Sequence, residues 1–259
     1  MKLEYNIDFI QDKNKKSSIK KAISILERAF YNGQELASFF LDPYEQKVIK
    51  SIGDFNKVNL SFIGGNDNTE RKIFVANPYG EIYTEDYISV MEFSSTGLKH
   101  PDVLGALIHL GLDRESIGDI VIKDDSCEFV LLKDDADFVK YNLSKIKNQG
   151  VSVNYKKDNT LSPANISYKK AKGFVSSLRL DSIVSEVTNL SRAKAKNLIK
   201  TKAVKVDYVG ITDPSKPIDE GSIISIKHEG RFVFDSIEGL SKKGNYHISY
   251  RKYKWQFIY

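Results

Sequence analysis

The sequence of 259 residues predicts an α+β protein built in three parts. Two patterns and one imbalance predict it. The middle alternates strand, helix, two strands, helix and strand. The C-terminal third shows two short helices followed by small strands. Charge is also divided unevenly: residues 1–80 carry a net +2, residues 81–150 a net −7, and residues 151–259 a net +10. An acidic middle beside a basic end is the asymmetry of a chain whose one part faces a polyanion, although a basic surface that is merely solvated gives the same count.

Composition narrows the class. With 41% hydrophobic and 28% charged residues the chain is long enough for two or three packed cores. No stretch approaches the roughly 18 apolar residues of a membrane span. The opening residues, MKLEYNIDFIQDKNKK, lack the apolar core of a signal peptide. The single cysteine, Cys127, excludes an internal disulfide and a multi-cysteine zinc site. These features lead to the expectation of a monomer in the cytoplasm, without membrane insertion.

Residues 1–80 read as a small α+β domain. Ile19, Ala22, Ile23, Leu26 and Phe30 recur at helical spacing after Ser17 or Ser18 as a cap. Asp42-Pro43 supplies a second helix start, cap then first turn. Val58, Leu60 and Phe62 alternate as a strand that turns at Gly64-Gly65-Asn66-Asp67 and returns over Lys72 to Ala76.

Residues 81–156 carry the clearest topology. Tyr87 to Phe93 reads as a strand. Pro101 starts a helix burying Val103, Leu104, Leu107 and Ile108, and Gly111 stops it. IGDIVI and CEFVLL form a hairpin across Lys123 to Ser126. A helix from about Asp134 to Asn148 then uses Phe138, Val139, Leu143 and Ile146, and VSVNY gives the last strand. The order β-α-β-β-α-β is the ferredoxin-like (RRM-like) arrangement, a fold that hosts many functions. Residues 157–177, polar and basic, read as a linker with one extended piece around Ile166 and Tyr168.

Residues 178–259 hold the functional candidates. Leu180, Ile183, Val184 and Val187 make one helical stripe. Ser191 caps a second helix that buries Ala195, Leu198 and Ile199. Arg192, Lys196 and Lys200 stand four apart, so they climb one side of that helix and can follow the phosphates of a nucleic acid. Arginine adds bidentate phosphate contacts, which lysine does not. A row of this kind more often marks a solvated face; the basic helix followed by small strands raises the functional reading.

The stretch resembles the RNA-binding domain named after ribosomal protein S-four. Its pattern is matched by Arg179-Leu180-Asp181, by SRAKAKNLI from Ser191, by Val204-Lys205-Val206, by Gly221-Ser222-Ile223 and by Gly230-Arg231. Lys202 stands where that domain usually has glycine, Asp207-Tyr208 replaces Asn-Gly, and Ser222 replaces Asp. Three further blocks, FIGGNDNTERKIF (Phe62–Phe74), HPDVLGALIHLGLDRESIGDIVI (His100–Ile122) and the stretch from Gly230 to Tyr250, are similar to the YlmH-type family of bacterial RNA-binding proteins. That resemblance implies a non-catalytic, cytoplasmic factor binding ribosomal RNA of the large subunit and tRNA, in rescue of stalled large subunits that still hold peptidyl-tRNA. Genes of the family often lie among cell-division genes, so ribosomal or division proteins enter as further partners. Arg179, Arg192, Lys194, Lys196, Lys200, Lys202, Lys205 and Arg231 are the candidate RNA-backbone contacts.

Rival readings rest on thinner signals. Arg179-Leu180-Asp181 also spells the tripeptide that carries the catalytic aspartate of pseudouridine synthases, but here it opens the module's own first helix, where an acid suits the positive helix end. Gly64-Gly65 leads to another strand, not to the helix a methyltransferase needs. His100, His109, His228 and His247 lack metal-ligand spacing, and Asp124-Asp125 and Asp134-Asp135 sit at a turn and a helix start, where acids are ordinary. Cys127 reads as a small buried hydrophobe. No nucleophile, base and orienter assemble, so no catalytic residue, metal or cofactor is expected.

Overall fold

The computed structural model describes residues 2–164 and 167–254, and these form two compact units divided between 164 and 167. In the first unit, helix α1 (Lys13–Asn32) is capped by Asp12, whose carboxylate accepts from the N–H groups of Asn14 and Lys15, and it ends at Gly33. The expected cap at Ser17 or Ser18 therefore lies inside the helix. The acid five residues earlier wins because it satisfies orphan donors that an interior serine cannot reach. After β1 (Leu36–Ala37), α2 (Pro43–Phe55) begins on the expected Asp42-Pro43, with Glu45 completing a capping box. Strands β2 (Leu60–Ile63) and β3 (Ile73–Ala76) pair antiparallel and build a three-stranded sheet of order β1-β3-β2. Ile19, Ile23, Leu26, Ile49 and Phe74 pack the core between it and the helices.

The chain continues through β4 (Ile88–Ser94), α3 (His100–His109), β5 (Ile117–Ile122), β6 (Ser126–Leu132) and α4 (Lys133–Asn142). A ribbon of β7 (Lys145–Ile146) and β8 (Gln149–Gly150) follows, then β9 (Asn154–Tyr155). The four-stranded antiparallel sheet has the order β5-β6-β4-β9, which is the ferredoxin-like order. Two details differ from expectation. Helix α4 stops six residues early: Asn142 turns its amide back onto the Phe138 carbonyl, and Lys147 adopts φ +52° to make the ribbon. Leu143 and Ile146 are still buried, but from outside the helix, while Phe138 and Ile108 are substantially exposed.

This sheet is covered on both faces. Met91, Phe93, Phe129 and Leu131 meet α3 and α4 on one side. Ile88, Val90, Val121 and Val130 meet Phe40, Ile73 and Leu161 on the other. Leu161 belongs to the expected linker, which is a correction: residues 157–164 are sewn onto the sheet. Asn159 accepts from the Val90 N–H at 2.7 Å, Leu161 donates to the Gly65 carbonyl at 3.0 Å, and Ser162 donates its N–H to the buried Glu128 carboxylate at 2.8 Å. Polar side chains that looked like solvent-facing linker are instead partners for the backbone of the sheet and for a buried acid.

The second unit begins with another part of that linker. Residues Tyr168–Val175 form β10, a strand of eight residues; Ile166, named with Tyr168 as the extended piece, lies outside the described residues, as do residues 255–259 at the end of the C-terminal segment. Then come α5 (Leu180–Thr188), α6 (Arg192–Lys200), β11 (Val204–Val206), β12 (Val209–Gly210), β13 (Ile223–Ile226), β14 (Gly230–Leu240) and β15 (Tyr246–Tyr253). They build one antiparallel sheet of order β10-β15-β14-β13-β11-β12, with both helices packed on one face through Leu180, Ile183, Val184, Ile199, Ile224, Phe232 and Ile248. No helix among the described residues is long and apolar enough to cross a membrane.

Candidate nucleic-acid interface

The start of α5 is closed by the proline-rich loop. Leu180 donates its N–H to the Lys216 carbonyl at 2.8 Å and Asp181 donates to that of Pro214 at 3.0 Å, so two helix-start donors are satisfied by backbone rather than by a side-chain cap. Asn189 takes φ +56° to end α5, and Ser191 restarts the chain two residues later by accepting from the Lys194 N–H. This tight connection brings the first residues of α6 against the first residues of α5.

At that junction sits Asp181, wholly buried. Its carboxylate meets Arg192 Nη2 at 2.9 Å, Arg179 Nε at 3.3 Å and Lys196 Nζ at 3.8 Å. Burial pushes this carboxyl up, but the hydrogen bonds and charges of Arg192 and Arg179 together outweigh it and hold it below the ordinary value of 3.8. The three cations keep 42–49% of their side chains exposed. One buried acid thus gathers three half-exposed cations and orients them. The Arg-Leu-Asp tripeptide and the later Ser-Arg pair are two ends of one ion cluster.

The remaining candidates are distributed more widely. Lys194 and Lys200 are exposed on α6. Lys202, just past that helix, is exposed at φ +59°, the left-handed region in which glycine is unstrained. Lys205 is exposed between buried Val204 and Val206, so it lies on the sheet face away from the helices, in one cross-strand row with Ser225 and Arg231. Arg231 itself is only 7% exposed: its guanidinium lies 5.3 Å over the Tyr208 ring and 5.4 Å over that of Tyr253. The eight residues therefore do not form a single patch, and one of them is covered by aromatics.

The Asp207-Tyr208 pair forms a two-residue hairpin turn between β11 and β12, with φ +47° and +69°. Such a turn needs positive φ at both central residues, which is why Asn-Gly is the usual pair. Here Asp207 compensates by accepting from the Ile223 N–H at 2.8 Å, and Tyr208 by stacking under Arg231.

The family-like block in the first unit has a structural explanation. A Cβ on Gly64 would overlap the Thr69 hydroxyl and the Arg71 carbonyl, and one on Gly65, at φ +99°, would press on Val130 and Leu161. Arg71 donates to the carbonyls of Phe40 (2.6 Å), Ile117 (2.9 Å) and Arg114 (3.2 Å), while Asp119 accepts from the N–H groups of Glu70 and Arg71. Burial lowers Arg114 to about 9 and raises Asp119. Glycines and Glu-Arg-Lys here dock a loop. Among the described residues no group of three His, Cys, Asp or Glu side chains is placed to hold a metal.

Sequence reasoning missed Lys170, Lys172 and Phe174 on β10. The available signal was the alternation of Tyr168, Lys170, Lys172 and Phe174, hidden in a lysine-rich stretch that read as linker.

Residues 89–160 match the family model described as "Putative RNA-binding domain in YlmH", and residues 178–224 match the S4 domain. The chain is 31% identical over 221 residues, 83% of its length and 86% of the relative's, to the ribosome-associated protein quality control protein P2 of Bacillus subtilis. Its fold is similar to that of the cell division protein ylmH from Streptococcus pneumoniae, with a TM-score of 0.51 at 17% identity, over 59% of this chain and 95% of that one. With a relative 31% identical over more than four-fifths of both chains and both domain models matched in order, the chain belongs to the YlmH-type family of RNA-binding proteins.

Proposed function

We propose that this protein is a non-catalytic factor that binds the RNA of the large ribosomal subunit together with tRNA, in the cytoplasm, and acts in rescue of large subunits stalled with peptidyl-tRNA. The observation that carries the reading is the cluster of Arg179, Arg192 and Lys196 on the buried Asp181. Cations already held in place lose less side-chain freedom on binding. Two of the three are arginines, which grip a phosphate with two parallel hydrogen bonds. Lys194, Lys200 and Lys202 extend the positive field along the same helix and its end. The name of the Bacillus subtilis relative supports the ribosomal setting.

Asp181 also weighs against a modifying enzyme. A catalytic aspartate must reach its substrate, whereas this one is buried with both oxygens facing cations. A division-linked role has only the family resemblance and the name of the Streptococcus pneumoniae structure behind it, the latter at an identity that speaks only to fold.

Two measurements test the proposal. Replacing Arg192 and Lys196 by alanine weakens RNA binding almost equally across sequences, and each lowers the slope of log affinity against log salt by about one unit. An unchanged affinity in the double variant would sink the assignment. On a sucrose gradient of cell lysate the protein travels with free large subunits and crosslinks to their RNA and to tRNA. Sedimentation only at the top, without RNA, points to a different partner.

A further inference from the structure

Strand β10 is one of the two edges of the six-stranded sheet. Its register with β15 sets Tyr168 opposite Tyr253, Lys170 opposite Arg251, Lys172 opposite Ser249 and Phe174 opposite His247. Gly173 and Val175 are buried toward the helices, so these four pairs face the other way. Phe174 is 60% exposed, its ring edge-on to His247 at 4.4 Å. Lys170 and Lys172 are exposed on the same face. The two acids of this face are already engaged: Glu238 holds Lys172 at 2.7 Å, and Asp235 holds Arg251 at 2.7 Å. A shallow cleft of about 510 Å³ runs between Lys170, Lys172, Ser249 and Arg251.

A single exposed phenylalanine is ordinary on a protein surface and proves nothing alone. Three further facts give this one a meaning. It shares its face with Lys170 and Lys172, which supply charge complementarity to a polyanion. The strand's lysines discourage addition of a partner's β-strand, the usual use of a free edge. Two residues beyond Phe174, the Ser176 hydroxyl lies 3.5 Å from Arg192 Nη1, so the strand runs directly into the cation cluster at Asp181.

We infer that β10 and its paired row on β15 form a second RNA-contacting surface, one that takes unpaired nucleotides leaving the element held at Arg179, Arg192 and Lys196. A base stacks on the exposed face of Phe174, and the backbone follows Lys172 and Lys170. Base-on-aromatic stacking tolerates any sequence, because every base has a π face. The inference rests on the RNA-binding reading above and extends it to a surface outside both matched domain models, which end at residues 160 and 224 and leave β10 between them.

The test uses the full chain and two fluorescent RNA hairpins, one blunt and one carrying a single-stranded oligouridine tail. The Phe174→Ala variant loses about tenfold in affinity for the tailed hairpin and nothing for the blunt one. Phe174→Tyr keeps the wild-type preference and Phe174→Leu does not, which separates stacking from bulk. Lys170→Ala lowers the salt slope by about 0.7 on the tailed probe only. Equal affinities of Phe174→Ala and wild type for the tailed probe overturn the inference, and so does an equal loss on both probes. Unchanged RNA binding with lost sedimentation on subunits also overturns it, in favour of a protein partner. Arg192→Ala/Lys196→Ala tells the two levels apart. If that variant loses both probes while Phe174→Ala loses neither, only this inference fails; if it loses neither, the RNA-binding reading fails and takes this one with it.

Discussion

The four-stranded sheet of the first unit and the six-stranded sheet of the second are both antiparallel, and each rests one face on two helices. They differ in the other face. In the first, Ile88, Val90, Val121 and Val130 form an apolar layer lidded by Phe40, Ile73 and Leu161. In the second, the far face carries Tyr168, Lys170, Lys172, Phe174, Arg251 and Tyr253. RNA readers built on a ferredoxin-like sheet stack bases on its open face. That route is closed here, because the face that would stack bases is covered by Phe40, Ile73 and Leu161. Fold topology alone predicts the opposite assignment, which shows why the second face of a sheet has to be read residue by residue.

The strongest way to break the comparison is to remove the clamp that holds the lid. Arg71→Ala deletes hydrogen bonds to the carbonyls of Phe40, Arg114 and Ile117, of which Ile117 keeps the Arg114 guanidinium as a donor, at a cost of about 4 kcal/mol. Urea unfolding followed by the fluorescence of the aromatic residues measures it. If loss of this side chain leaves the midpoint unmoved, the lid is held by something else. Leu161→Ala is the next test, because it hollows the layer under the lid without touching the clamp. Leaving a cavity beside Val90 and Val130 costs about 3 kcal/mol. Were residues 157–164 a linker, the same change would be silent.

These two variants also mark what the sequence made legible. The strand and helix order of the middle segment was readable because its periodicity is strong, and because α3 starts at a proline and α4 at a pair of acids. The S-four pattern was readable because turns and ion partners sit at fixed spacings. The lid was not readable. Leu161 is one apolar residue among Asp158, Asn159, Thr160 and Ser162, and the polar neighbours bond to a sheet edge and a buried acid remote in sequence. Strand β10 was hidden for a related reason: a strand whose outer face is lysine has the composition of a linker, and only its alternation betrays it. In the site, a row of cations at four-residue spacing was visible on α6, but not the convergence of its first two members on Asp181, which depends on the angle between two helices.

Asp181→Asn sharpens the reading of the second unit. It leaves three cations facing a neutral amide and lowers stability by about 2 kcal/mol, less than for a fully buried pair because the cations are half exposed. The acid limb reports the same contact. Since the folded carboxyl lies below its ordinary 3.8, its contribution is fully present above that value and is lost as the pH falls through the lower folded value. Wild type therefore loses this share of stability on acidification, and the asparagine variant has no such share to lose. RNA affinity gives the sharper contrast. If net charge alone governed binding, the variant, one unit more positive, would bind more tightly. If Asp181 orients Arg179 and Arg192, it binds about fivefold more weakly, as expected when bidentate contacts lose their pre-set geometry.

The smallest effect is expected at Lys202, and it separates stability from binding in a single residue. At φ +59° a lysine is strained where glycine is not, and its exposed side chain contributes little packing in return. Lys202→Gly relieves that strain, while the unfolded glycine chain gains entropy that offsets part of the gain, so the net is a stabilisation of about 0.5 kcal/mol. If Lys202 touches the RNA backbone, the same change lowers the salt slope by about one unit. A gain in midpoint with an unchanged slope would assign Lys202 to neither fold nor RNA, and would confine the interface to the cations anchored at Asp181 and the helix that carries them. A gain with a reduced slope would mean that this chain keeps a strained lysine because the charge is used.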